Sequence, residues 1–232
     1  MDVSFLTVYK SPFVKIRLGK DYTGGYIISE IPDVNYITFI SGGIGNDLSF
    51  EEDFINKYPN VNSYACDGTI TNLPNENLNI TFINKNISFE NNEQTTNLHD
   101  IIDVNNSIFV KMNINGDEIP WINSLSNEQI NKFEQIVIQF HYPLSNNEIN
   151  VFNKINNNHY LIHFHAHNHF GVNWGNGMGV PNIFQCTYLH KKYFTDVPKL
   201  NTDRLPTVLD MRNLMEHDEI SITYPPFVAY QY

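Results

Sequence analysis

Three groups of residues have types and spacings that could do chemistry. The first is Ser41-Gly42-Gly43-Ile44-Gly45-Asn46-Asp47. Glycines lack a Cβ, so this run can turn tightly and bring its backbone against a ligand. Asp47 stands where it can cap the helix that follows or act as its early acid. The second group is Asp67-Gly68, at the end of an apolar run. A carboxylate there can accept hydrogen bonds from both ribose hydroxyls of an adenosyl ligand, although Asp before Gly also makes an ordinary turn. Loop and acid together point to an adenosyl cofactor, either S-adenosylmethionine or a dinucleotide. The GxxxxGK[ST] phosphate loop is missing, which argues against an ATPase, and the GxGxxG fingerprint is incomplete, which argues against a nicotinamide oxidoreductase.

The third group is the histidines. His141 closes a strand-like run, and a neutral imidazole there can take the proton from an attacking hydroxyl. His165, at the end of the next strand, can share that role or orient the acceptor. A hydrogen-bonded structural role is the competing reading for each. His163, His165, His167 and His169 alternate, which puts them on one sheet face if the strand runs that far. Such a line of imidazoles is too linear for an easy tetrahedral metal site and matches no recognised zinc spacing. It reads better as polar lining of a cleft.

The elements that must position these groups alternate. Tyr36–Gly42 reads as a buried strand and Leu48–Tyr58 as a helix with Phe50, Phe54 and Tyr58 on one face. Ser63–Cys66, Ile80–Ile87, Ser107–Ile114 and Gln135–His141 read as further strands. Helical patterns lie over Thr96–Ile102, near Asp117–Leu125, and over Asn146–Asn156. Tyr160–His167 and Asn182–His190 read as two last strands without a helix between them. This order predicts an α/β fold: a Rossmann-like, mostly parallel sheet with helices on both faces and a closing antiparallel edge hairpin. The chain reads as one domain, with 1–35 as an N-terminal cap segment and 36–232 as the core. Ligands in such sheets bind beyond the carboxyl ends of the strands, near the switch in strand order.

Several segments resemble the FkbM-type and related sugar-modifying class I methyltransferases. Tyr22-Thr23-Gly24-Gly25-Tyr26-Ile27-Ile28 is similar to a DGGY(V/I) entry segment. Gly43-Ile44-Gly45-Asn46-Asp47-Leu48-Ser49-Phe50-Glu51 is similar to GxGxDxSFE. Val110-Lys111-Met112-Asn113-Ile114-Asn115-Gly116-Asp117-Glu118 is similar to LKxDIEGxE. Ile136-Val137-Ile138-Gln139-Phe140-His141 is similar to LVIEFH, and His163-Phe164-His165-Ala166-His167-Asn168 to HxHxNN. The resemblance implies a class I methyltransferase sheet and S-adenosylmethionine held by Gly43, Ile44, Gly45, Asp47 and Phe50. It implies ribose contact at Asp67 and Gly68, adenine near Asn86 and Ile87, and closure by Lys20 and Tyr26. It also implies a sugar or nucleotide-sugar acceptor in glycan biosynthesis, with His141, His165 and Asn113 as the catalytic set. An inactive relative that binds S-adenosylmethionine or a glycan is the alternative.

The chain departs from the family where charge matters. Asn113 and Asn115 stand for the Asp and Glu of DIEG, Gln139 stands for the Glu before Phe-His, and Gln185 for another Glu. Each swap keeps shape and removes a negative charge. Mg²⁺ prefers anionic oxygens, so a divalent metal at Asn113 and Gln139 is not expected.

The remaining residues read more plainly. Lys111, inside an apolar strand, needs an acidic partner or a place at the strand end. Cys66 and Cys186 read as core thiols, Trp121 and Trp174 as core or cleft wall, and the glycine-rich run Asn173–Gly179 as a lid. The chain has 232 residues, a net charge of −11, 16 Phe and 13 Tyr. That suits one sizeable core, and the charge disfavours nucleic acid as a partner. No secretory signal or apolar run of membrane-spanning length is evident, so a soluble cytoplasmic protein with no membrane partner is expected. A homo-oligomer is compatible with all of this.

Overall fold

The computed structural model describes residues 2–144, 149–175 and 178–230. In chain order its elements are β1 (Lys15–Leu18), β2 (Tyr26–Ser29), β3 (Thr38–Gly42), α1 (Ser49–Lys57), β4 (Asn62–Cys66), β5 (Thr81–Ile83), β6 (Asn86–Ile87), β7 (Thr95–Thr96), α2 (His99–Val104), β8 (Ile108–Met112), α3 (Glu118–Ser124), α4 (Asn127–Ile130), β9 (Phe133–His141), α5 (Ile149–Asn156), β10 (His159–Ala166), β11 (Val172–Gly175), β12 (Met178–Pro181) and β13 (Ile183–His190). Seven strands form the central sheet in the order β10-β13-β9-β8-β3-β4-β5. From β9 to β5 all neighbours are parallel. β13 runs antiparallel to both β9 and β10. The order reverses at β3, so this is an α/β Rossmann-like sheet with its switch point at the end of the first core strand.

Burial on both faces explains the apolar strands. On one face Phe39, Phe109, Val137 and Leu189 pack against Phe50 and Phe54 of α1 and against Tyr26 and Ile28 of β2. On the other, Ile40, Val110, Ile138, Phe164 and Cys186 pack against Ile102 of α2, Trp121 and Ile122 of α3, and Val151, Phe152 and Ile155 of α5. Helices therefore cover both faces, but the β1–β2 hairpin shares the α1 face. That hairpin is anchored through Gln135, whose Oε1 accepts from the Ser29 N–H at 2.6 Å. Both cysteines are buried, and so is Trp121.

Several expectations shift. The closing pair β10 and β13 forms the expected antiparallel edge, with the later strand β13 lying inside, between β9 and the outer strand β10. The run Ile80–Ile87 breaks: after β5 the Lys85 N–H folds back to the Ile83 carbonyl, and β6 pairs instead with β7. The expected lid run forms the β11–β12 hairpin, with Trp174 exposed; Asn176 and Gly177 lie outside the described residues, as do 146–148 of the helix expected over Asn146–Asn156. Among the described residues no helix is long and apolar enough to cross a membrane.

The carboxyl-terminal segment wraps around β10. Phe227 packs on Phe164 with ring centroids 4.5 Å apart. On the opposite face Asp210 meets His163 at 2.8 Å and Glu219 meets His165 at 3.3 Å.

His159, the first residue of β10, is fully buried and bonded to the Phe133 carbonyl at 2.7 Å. Burial disfavours its charged form and outweighs that bond, so its pKa falls to about 3. An unfolded histidine titrates near 6.5, so below that pH the unfolded chain binds a proton that the folded chain refuses. Its contribution to stability is intact above pH 6.5 and is lost as pH falls toward 3. Between pH 6.5 and 5 this residue should cost about 2 kcal/mol of unfolding free energy. Urea titrations of the native chain and of His159→Gln at both pH values check this; identical pH slopes would refute it.

Candidate active site

β3 runs directly into the glycine turn. Gly43 has φ +70°, and a Cβ there would lie 1.8 Å from the Asn113 carbonyl oxygen. Only glycine fits this crossing. The Gly43 N–H bonds the Cys66 carbonyl and the Asn113 N–H bonds the Gly42 carbonyl, each at 3.0 Å, so the ends of β3, β4 and β8 meet here. Gly45, at φ +52°, differs: a Cβ built on it meets no protein atom within 4 Å. It faces open space.

That space is a cavity of about 360 Å³ at the carboxyl ends of β3, β4 and β8. Gly43, Ile44, Gly45, Asp47, Phe50, Asp67, Asn86, Ile87, Lys20, Tyr26 and Asn113 all line it, and Gly68 stands just behind, with its N–H on Asn86 Oδ1. Asp67 accepts from the Gly45 N–H at 2.8 Å, and from the Thr69 N–H and hydroxyl at 2.8 and 2.5 Å. Partial burial works against its charge, but these bonds prevail and its pKa lies below the ordinary value. Asp47 accepts from the Ser49 N–H at the start of α1 and pairs with Lys20 at 3.0 Å, which closes the turn from outside.

Lys111 and Glu51 form the back wall, both buried. The Lys111 ammonium lies 3.3 Å from Glu51 Oε1 and donates to the Gly43 carbonyl at 3.1 Å. Burial is the largest single influence and opposes its charge, but Glu51, Tyr26 and Asp47 together outweigh it and raise its pKa. Ser41 donates to the same Glu51 oxygen at 2.5 Å. The other oxygen, Oε2, is buried without a protein partner. The expected acidic partner of Lys111 is thus Glu51, from the first turn of α1. No spacing argument singled it out, because it comes from a helix 60 residues earlier in the chain.

A polar row crosses the α1 face beside the cavity. Register sets Met112 against Ile138, Gln139 against Gln185, and Gln185 against His165. Asn113, Gln139, Gln185 and His165 therefore stand side by side on four adjacent strands. Asn113 Nδ2 donates to the Tyr26 hydroxyl at 3.0 Å and Asn113 Oδ1 accepts from Gln139 Nε2 at 3.2 Å. Gln139 Nε2 also meets His141 Nε2 at 3.1 Å, and Gln139 Oε1 accepts from Gln185 Nε2 at 3.3 Å. His141 Nδ1 meets Glu118 Oε1 at 2.9 Å.

The candidate catalytic residues therefore separate. Asn113 lines the cavity, and His141 sits behind it through Gln139. His165 is at the far end of the row, 3% exposed, under Glu219 and Asp210 of the carboxyl-terminal segment. Only His163 and His165 share a face within β10, because the strand ends at Ala166 and His167 and His169 lie beyond it. Among the described residues no three His, Cys, Asp or Glu side chains gather as metal ligands do. Glu118, Asp210 and Glu219 were not singled out from sequence.

The two glycines of the turn should respond differently to alanine. Both carry the cost of a left-handed backbone, about 1–2 kcal/mol. Gly43→Ala adds a collision with rigid backbone and should lower stability by at least about 3 kcal/mol. Gly45→Ala should fold, at a cost near the backbone term alone. Thermal unfolding of both variants checks the ranking, and equal losses would show that the crossing at Asn113 yields.

No protein-family model matches the chain, and no curated protein matches it. Among solved structures it is similar to TrmN from Thermus thermophilus, with a TM-score of 0.35 and 9% identity over 66% of this chain and 44% of that one. The chain thus spans less than half the length of that protein. At this level of similarity it is the sheet itself, with its order reversing at β3 above the glycine turn, that places the chain in the Rossmann-like α/β class.

Proposed function

We propose that the chain is an S-adenosylmethionine-dependent O-methyltransferase acting on a hydroxyl of a sugar or nucleotide sugar. The observation that carries this reading is the cavity at the switch point, where the Gly43–Gly45 turn and Asp67 face the same space. Its volume is in the range of small-molecule sites. Gly45 leaves open the room that a side chain would fill, Asp67 offers a carboxylate kept ionised, and Asn86 and Ile87 line the same cavity. A ribose binding at Asp67 takes the place of the Thr69 hydroxyl. The sequence resemblance supports the methyl donor and the sugar acceptor.

The cofactor supplies, when bound, a methyl group on a positively charged sulfur. The chain supplies placement and proton removal. Lys111, Glu51 and Gly43 form a rigid wall, and Tyr26 and Asn113 place polar atoms where the cavity meets the row. Orienting the acceptor oxygen in line with the methyl group contributes much of the rate. As the acceptor oxygen takes the methyl carbon and the carbon–sulfur bond breaks to leave a neutral thioether, the hydroxyl proton would pass to His141 Nε2, which would release the Gln139 amide to receive it. The row presents amides, not carboxylates, so the reading has no role for a divalent ion.

One observation favours the alternative, a binding module without turnover: the row is bonded to itself, and His141 Nε2 is engaged by Gln139. Calorimetric titration with S-adenosylmethionine, then a labelled-methyl assay on nucleotide sugars with and without Mg²⁺, separates the two. A saturable isotherm that Gly45→Ala weakens at least tenfold is expected, with turnover falling roughly 100-fold in His141→Gln. Binding without turnover on any acceptor supports the module. Absence of binding removes both.

A further inference from the structure

We infer that Glu118 is a positioning residue that sets the direction of every hydrogen bond in the polar row and thereby holds His141 as its Nδ1–H tautomer. The inference rests on the methyltransferase reading only for the use made of that tautomer.

The argument is a count of protons. Glu118 is fully buried at the start of α3. Its Oε1 accepts from the Ile114 N–H and its Oε2 from the Gly116 N–H, each at 2.9 Å. Backbone donors thus point at both oxygens, and a carboxylate so held is an acceptor. His141 Nδ1, 2.9 Å from Oε1, must then carry a proton. In a neutral imidazole the other nitrogen is a lone pair, so His141 Nε2 accepts from Gln139 Nε2. The orientation of that amide follows: its second N–H goes to Asn113 Oδ1, and its oxygen accepts from Gln185. Asn113 in turn presents Nδ2 to the Tyr26 hydroxyl. That hydroxyl accepts from Asn113 and keeps its own hydrogen for the cavity that Tyr26 lines.

The reverse direction can be drawn for the amides alone. With a neutral imidazole it would need the His141 proton on Nε2 and a bare Nδ1 lone pair against the Glu118 carboxylate. Two acceptors at 2.9 Å repel, so one anion fixes the polarity of five side chains. For methyl transfer this leaves Nε2, the nitrogen linked through Gln139 to the cavity-lining Asn113, as the proton acceptor.

Nitrogen-15 spectra of histidine-labelled protein read the tautomer without any ligand. Where the ring is neutral, His141 should show a protonated Nδ1 and a lone-pair Nε2. Gln139→Glu replaces the donor beside Nε2 with an acceptor, so Nε2 should become protonated and its signal should move away from the lone-pair position. Glu118→Gln should remove the tautomer preference. If the chain is active, that variant should lower kcat roughly 100-fold while S-adenosylmethionine affinity stays within about threefold. A native spectrum with Nε2 protonated, or with the two forms averaged, would overturn the inference, as would a Gln139→Glu spectrum identical to the native one. Should Glu118→Gln fail to fold, the native and Gln139→Glu spectra still decide. Should no methyl transfer be found, the spectra test Glu118 independently of the proposed activity.

Discussion

The junction at Gly43 carries the site. There the end of β3 passes so close to the Asn113 carbonyl that no side chain fits between them, while hydrogen bonds join Gly43 to Cys66 and Asn113 to Gly42. Three central strands thus end against one another at the point where the sheet order reverses. The polar groups of the cavity take their positions from this point. Lys111 reaches back to the Gly43 carbonyl, Asn113 leads into the amide row, and Asp67 holds the turn through Gly45. A shift here would move the cavity wall, Asp67 and the row together.

The buried charges follow a common plan. Glu51 and Glu118 both lie in the first turn of a helix and both reach across to polar groups borne by strands. A helix N-terminus favours a negative charge, which offsets part of the cost of removing a carboxylate from water. The rest is offset by Lys111 and Ser41 for Glu51, and by two backbone N–H groups and an imidazole for Glu118. Buried ions without such partners destabilise strongly. The two acids thereby hold the sides of the cavity in fixed relation to the sheet. Between them, the uncharged amides of Asn113, Gln139 and Gln185 keep like charges from crowding one small volume.

Much of the architecture was legible because local pattern and tertiary role agree. A buried run ending in glycine, followed by Phe50, Phe54 and Tyr58 at helical spacing, gives β3, the turn and α1 with nearly their observed bounds. The acid at the end of β4 was visible for the same reason. The β1–β2 hairpin was not, since its short strands alternate weakly and read as an irregular cap. Nor could sequence break Ile80–Ile87 into two strands, because the break depends on β7, which follows eight residues after Ile87. In the site, residues adjacent to the turn were readable from position. Partners brought from afar were not: Glu51 to Lys111, Glu118 to His141, and Asp210 and Glu219 to the β10 histidines are pairings that only the folded sheet creates. The last two come from a segment without regular secondary structure, which leaves no periodic trace.

That same segment has a consequence for how the molecule meets other proteins. An outermost strand ordinarily offers a ladder of unpaired amides to which a foreign strand can add, a common beginning of aggregation. β10 is occupied on this side: its Leu161 carbonyl accepts from Tyr9, and the tail grips it from above and below through Phe227, Asp210 and Glu219. The opposite border is the three-residue β5, too short to template much. A sheet so bordered at both margins leaves little unpaired backbone for a foreign strand to join.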